Sequence, residues 1–220
     1  MKFFAIYAIV GLMFTVEACD GQEQQQASQS ANNTMESLSA EERSHLDTAT
    51  LAGGCFWCVE ASFEQIEGVY EVVSGYSGGT QKNPTYTAVS RGATNHAEAV
   101  QVYYDSRIRS YEEILKIFFV AHDPTQLNWQ GPDVGKQYRS AIYYHNRAQQ
   151  KTINELIAQL EAENAFSRPI VTQIEPLDQF WLAEEYHQDY ATRNPNDRYI
   201  QSVSIPKVKK VQKAFPNMLK

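Results

Sequence analysis

Cysteine is scarce in this chain. Three residues in 220, Cys19, Cys55 and Cys58, exclude a disulfide-stapled scaffold and a four-cysteine zinc site built by one chain. Positive charge is also short: 19 Lys and Arg stand against 26 Asp and Glu, a formal net charge of −7. That balance argues against nucleic-acid binding, which needs a basic surface to neutralise phosphates. Internal repeats are absent. The apolar run at residues 3–16 falls short of the about 20 residues that a membrane-spanning helix needs. What is present is 43% hydrophobic and 12% aromatic residues, enough for a sizeable core, which excludes a fully disordered chain.

The two ends differ from the middle. Residues 3–16, preceded by Lys2, suit the apolar region of a signal peptide and run into Val16-Glu17-Ala18-Cys19. That ending resembles a bacterial lipoprotein signal, in which a small residue precedes a cysteine that is lipidated after cleavage. Glu17 is atypical there, and ordinary cleavage near Ala18 is the alternative. Residues 20–44 are polar, rich in Gln, Ser, Asn and Ala, and lack aromatics. They bury too little apolar surface to offset ordering entropy and read as a flexible tether. The expected organisation is a signal peptide over residues 1–18, a polar linker over 19–44 and a folded domain over 45–220. A lipid on Cys19 would anchor that domain in the cell envelope. Five lysines among the last 16 residues make 196–220 read as a solvated basic tail.

The body alternates strand-like and helix-like segments. Residues 49–52 read as a strand ending at Gly53-Gly54. Phe56, Val59, Phe63 and Ile66 recur at helical spacing. Residues 69–76 and 97–104 are strand-length runs of β-branched and aromatic residues. A helix over 111–120 enters through Ser110 as N-cap, and one starting at Asn146 carries Ile153, Leu156, Ile157 and Leu160. Residues 140–144 and 170–174 read as strands, and 179–192 as a last helix. The order predicts an α+β domain, an α/β sandwich whose first six elements match a ferredoxin-like split β-α-β core, followed by helical extensions.

Chemistry concentrates at the first turn. Cys55 follows a strand and two glycines and opens a helix, where free N–H groups and the helix dipole favour a nucleophilic thiolate. Cys58 lies one turn further on, with a Cα separation of about 5–6 Å, inside disulfide range. Three readings stay open on these residues alone: a reactive and a resolving thiol, a structural disulfide, or half of a zinc site completed by two of the five histidines.

Seven ordered motifs narrow the choice: GGCFWCVEASF (53–63), SGYSGG (74–79), NPTY (83–86), HAEAV (96–100), HDPTQ (122–126), GKQYRSAIYY (135–144) and AEEYHQDY (183–190). Together they resemble the peptide-methionine (S)-S-oxide reductases, the A family of methionine sulfoxide reductases, over residues 49–194. The resemblance implies a repair enzyme that reduces the S-epimer of methionine sulfoxide, free or in oxidised proteins, without a cofactor or metal. It makes Cys55 the nucleophile and Glu98 the acid that protonates the sulfoxide oxygen, buried enough to hold its proton. Tyr86 and Tyr138 would donate to the same oxygen. Phe56 and Trp57 would wall the methyl group, and Asp133 would hold the substrate backbone. Cys55 becomes a sulfenic acid, Cys58 condenses with it, and thioredoxin or a thioredoxin-like protein reduces the resulting disulfide.

The sequence departs from the family twice. Many members resolve with cysteines near the C-terminus, whereas none follows Cys58 here, so either Cys58 or an external thiol must act. Val134-Gly135-Lys136 stands where relatives often have a histidine before the glycine and a threonine after it. Read without the family, Glu98 is an outward residue on a half-buried strand, and His187 is structural. The competing functions are a thioredoxin-like dithiol oxidoreductase, whose pattern puts Trp before the first cysteine, and a zinc-binding envelope lipoprotein. A monomer is expected.

Overall fold

The structure, a computed structural model, describes residues 39–220. The signal segment, Cys19 and the linker as far as residue 38 lie outside the described residues. The linker's last residues are helical, α1 (Ala40–Ser44), and then the chain enters β1 (Leu46–Gly53). Next come α2 (Phe56–Glu64), β2 (Val69–Ser77), the short α3 (Tyr86–Ser90), β3 (Ala97–Asp105) and α4 (Tyr111–Ala121). A hairpin, β4 (Trp129–Gln130) and β5 (Asp133–Val134), precedes β6 (Ser140–Tyr144) and α5 (Arg147–Ala162). The chain closes with β7 (Gln173–Pro176), β8 (Phe180–Leu182), α6 (Tyr190–Arg193) and α7 (Ile205–Ala214).

The sheet order is β7-β6-β1-β3-β2-β8. Strand β3 runs antiparallel between β1 and β2, the arrangement of a split β-α-β unit, and β6 adds antiparallel to β1. Fold class and core topology are therefore as expected. Two caps act as the sequence indicates. Ser110 makes a full capping box with Glu113, and the Asn146 side chain accepts from Gln149 N–H. The main core lies where α2 and α4 cover the sheet, with Leu51, Phe56, Phe63, Val100, Ile114 and Phe118 fully buried. Each such side chain contributes about 1.5–3 kcal/mol by leaving water.

Two expectations fail. Residues 179–192 are not one helix but β8, a 3-10 turn (Glu185–His187) and α6, with Asp189 left-handed at φ 53°. Tertiary contacts override the periodicity. Gln188 spends its amide on the Ser74 backbone, and Glu184 accepts from Tyr76 Oη and Tyr86 N–H, both at 2.8 Å. The C-terminal stretch is not a solvated tail either. A π-helical turn (Ile200–Ser204) leads into α7, which packs on α2 and α4 with Ile200, Ser204 and Val211 buried. Leu219 then bridges to Ile66. Lys209, Lys210 and Lys213 occupy the outer face, while the inner one carries the buried Val211 and, exceptionally, Lys207.

Candidate active site

The turn between β1 and α2 is built on two glycines. Gly54 sits at φ 93°, and a Cβ there would stand 2.5 Å from Gln130 Cγ. Gln130 in turn clasps the Asp123 backbone through both amide atoms. The turn delivers Cys55 to the N-cap of α2, with no side-chain hydrogen bond to the helix. Beneath it, neutral His122 bridges Phe118 O and Ser140 Oγ at 2.7 Å each, burial holding it down at about 4.

Glu98 lies where the topology predicts a neighbour of that turn. Leu51 pairs with Val100, so two residues on, the chain leaves β1 level with Glu98. Glu98 is 2% exposed and accepts the Phe56 N–H at 3.1 Å. It is not an outward residue of a half-buried strand. Burial raises it to about 8, against the lowering effect of the Phe56 bond, so it carries a proton at neutral pH.

Cys55 and Cys58 are both reduced and buried, 5% and 0% exposed. The expected thiolate preference of Cys55 is overturned. Burial pushes its thiol well above the ordinary value, with the hydrogen bond to Cys58 and the charge of Glu98 adding to the rise. The same bond lowers Cys58 to about 7, so the pair titrates together with the negative charge on Cys58. Desolvation costs more here than the start of a short helix returns.

Tyr86 and Tyr138 converge on the same place, close enough that Tyr86 acts on Tyr138. Tyr86 opens α3 behind the Thr85 cap, and Tyr138 ends a 3-10 turn (Lys136–Tyr138). Gln137 joins the two by donating to Ser90 O at 2.8 Å. Burial and then Glu98 raise both phenols, Tyr86 to about 12, so both keep their protons, and Cys55 acts on each. Phe56 and Trp57 form an aromatic wall. Phe56 stacks on Tyr86 at 6.4 Å, and Trp57 on Tyr190 at 3.9 Å. Trp57 Nε1 donates to His187 Nδ1 at 3.2 Å, and His187 is held neutral by burial, down at about 4. His187 is thus a buried support, as the sequence reading has it.

Asp133 joins the same cluster, its charge acting on Glu98, Tyr86 and Tyr138. Tyr199 Oη donates to its Oδ2 at 2.6 Å and also stands 3.9 Å from Cys58 Sγ. Sequence reasoning missed Tyr199 because it lies 141 residues from Cys58, in the stretch read as tail. Burial raises Asp133 despite that bond.

Two neighbouring thiols, a protonated buried carboxyl and two phenols, close enough to act on one another, define a thiol-based oxidoreductase. A family profile described as Peptide methionine sulfoxide reductase matches residues 47–219. The chain belongs to that family. It is 52% identical over 168 residues to the Natronomonas pharaonis peptide methionine sulfoxide reductase MsrA, covering 76% of this chain and 94% of that one. It is 53% identical over 174 residues to Rhodopirellula baltica MsrA 1, covering 79% and 90%. The reduced Mxr1 of Saccharomyces cerevisiae superposes with a TM-score of 0.64 at 34% identity, over 70% of this chain and 88% of that one. Methionine sulfoxide reductase A of Corynebacterium diphtheriae gives 0.62 at 34% identity, over 70% and 77%.

Proposed function

We propose that this protein reduces the S-epimer of methionine sulfoxide, free or within oxidised proteins, and so repairs oxidative damage. The observation that carries the reading is the buried Glu98, raised to about 8 beside two protonated tyrosines and the Cys55 thiol. The sulfoxide oxygen points at Glu98, Tyr86 and Tyr138, and the methyl group lies against Phe56 and Trp57. As the oxygen takes the Glu98 proton, positive charge builds on the substrate sulfur. That charge draws the negative charge of the thiol pair onto Cys55, the shared proton moving to Cys58. Cys55 attacks sulfur, oxygen transfers, and the products are methionine and a Cys55 sulfenic acid. Separate places for oxygen, methyl and the rest of the side chain bind one hand of a chiral sulfur better than the other.

Cys58 then closes the Cys55–Cys58 disulfide and releases water, and a thioredoxin-like dithiol restores both thiols. Asp133 holds the substrate backbone once Tyr199 yields it. We also propose that residues 1–18 are removed and Cys19 is lipidated, holding the enzyme in the cell envelope, a reading supported by Val16-Glu17-Ala18-Cys19 after an apolar run. Separate incubations with the two epimers of free methionine sulfoxide and dithiothreitol test the activity. Consumption of the S-epimer alone, lost in Cys55→Ser, is expected. Turnover of neither epimer, or residual turnover in Cys55→Ser, overturns the reading. Fatty-acid labelling that is absent from Cys19→Ser tests the anchor.

A further inference from the structure

The C-terminal helix carries a feature that its packing does not require. Ile200, Ser204 and Val211 are buried at helical spacing, and Lys207 lies on the same stripe between Ser204 and Val211. An apolar residue would suit that position. Instead Lys207 Nζ is shielded from solvent without a hydrogen-bond partner, and Ser204 Oγ is equally shielded and unpartnered. Ser204 lies beside Cys58, whose sulfur also meets Tyr199 Oη at 3.9 Å. The Lys207 charge acts on Cys58 and on Asp133. The π-helical turn before α7 sets the phase of this stripe, turn and helix both packing on α2, which carries Cys58, and such turns are common at functional sites.

We propose that Lys207 is a positioning residue for Cys58, stabilising its thiolate both as the attacker of the Cys55 sulfenic acid and as the leaving group when the disulfide is reduced. The inference rests on the resolving role given to Cys58 above. In the first step the Cys58 thiolate forms the S–S bond, the Cys55 S–O bond breaks, and hydroxide leaves with a proton as water. In the second, an external dithiol must choose a sulfur, and only Cys55 retains any exposure, 5% against 0%. Its thiolate bonds to Cys55, and Cys58 departs as thiolate. The reductant's second thiol then attacks the reductant's own sulfur in the mixed disulfide. Cys55 is freed and the reductant is oxidised to its disulfide. Lower thiol pKa speeds departure. Facing Cys58 are Cys55 from the start of α2, Glu98 from β3, and Tyr199, Ser204 and Lys207 from the C-terminal segment, with Asp133 of β5 behind Tyr199.

The test uses the full chain with Cys19→Ser and Cys55→Ser, so that Cys58 is the one thiol, and follows thiolate absorbance against pH. Lys207→Met should raise the Cys58 midpoint by about one pH unit, a roughly tenfold loss of thiolate below the midpoint, and Lys207→Arg should restore it. In chains retaining Cys55, Lys207→Met should also increase dimedone trapping of the sulfenic acid after one turnover. A Cys58→Ser chain that stalls with dithiol, combined with an unmoved Lys207→Met midpoint, overturns this inference alone. A Cys58→Ser chain that cycles at the parent rate overturns the resolving role and this inference with it.

Discussion

Replacing Glu98 with glutamine keeps the shape of the side chain and an oxygen for the Phe56 N–H, accepted by Glu98 at 3.1 Å. It removes the proton. Glu98 titrates at about 8, so about nine-tenths of these groups are protonated at pH 7 and about one-tenth at pH 9. A positioned acid contributes about 10²–10⁴-fold, and Glu98→Gln should slow first-turnover methionine formation by that factor at pH 7. The assay is rapid quench of reduced enzyme with excess methionine S-sulfoxide, counting methionine from pH 6 to 9. Thiol ionisation is common to both proteins, so the informative quantity is the ratio of parent to variant rate. That ratio should fall about tenfold between pH 7 and 9, because the parent loses a proton that the variant never had. Glu60→Gln, a second buried glutamate bonded by Ser74 Oγ at 3.0 Å, controls for the loss of any buried carboxyl. A ratio flat over that range, or a variant within about threefold of the parent at pH 7, would refute the acid role.

Other outcomes follow from the same geometry. Cys58→Ser should release one equivalent of methionine and then stall with thioredoxin, measured as product per enzyme; normal cycling would place the resolving thiol elsewhere. Gly54→Ala should cost about 2–4 kcal/mol in urea unfolding, adding backbone strain at φ 93° to a contact 2.5 Å from Gln130 Cγ. Gly131→Ala, at φ 61° with open space around it, should cost only about 1 kcal/mol. Stability should fall by about 1–3 kcal/mol from pH 6.5 to 8, read from unfolding midpoints, with half-buried Glu71 discounted for solvent screening. Glu98 at about 8 and Glu64 and Glu71 at about 7 all lie above their unfolded value of 4.5, so the folded state holds the extra protons until they titrate. His122 and His187, depressed to about 4, oppose this only below their unfolded value of 6.5. Cys58, lowered to about 7, offsets part of the loss above it.

The residues whose role depends on local chemistry were readable in the sequence. Cys55 and Cys58 follow a strand and two glycines, whereas Glu98 was legible only through the family resemblance, because on its own it reads as an outward residue of a half-buried strand. The C-terminal partners were not readable. Tyr199 reaches Cys58 across 141 residues, and no local pattern encodes that contact. The stripe Ile200, Ser204, Lys207 and Val211 was masked by the lysines between its members, which made the segment look solvated. Residues 179–192 failed for a related reason. Glu184 and Gln188 look like the polar face of a helix, yet both are buried to bind the backbones of Tyr86 and Ser74. The thiolate preference of Cys55 failed because burial is a property of the folded whole, while a helix start can be read locally.

Topology explains how this site holds a proton beside a nucleophile. In a split β-α-β unit the inserted strand begins where its two neighbours end, so the start of β3 lies against both the β1–α2 turn and the end of β2. Glu98 pairs with Tyr76 across β2 and stands level with the residue where β1 ends. It is therefore buried from both sides, and among the described residues it accepts from the first N–H of the helix that Cys55 opens. The desolvation that lifts Glu98 also lifts Cys55, an apparent conflict, since the acid must be protonated and the nucleophile must not be. Cys58 resolves it. A second sulfur within hydrogen-bonding reach lets the pair carry one negative charge at neutral pH, and a protonating sulfoxide decides which sulfur bears it.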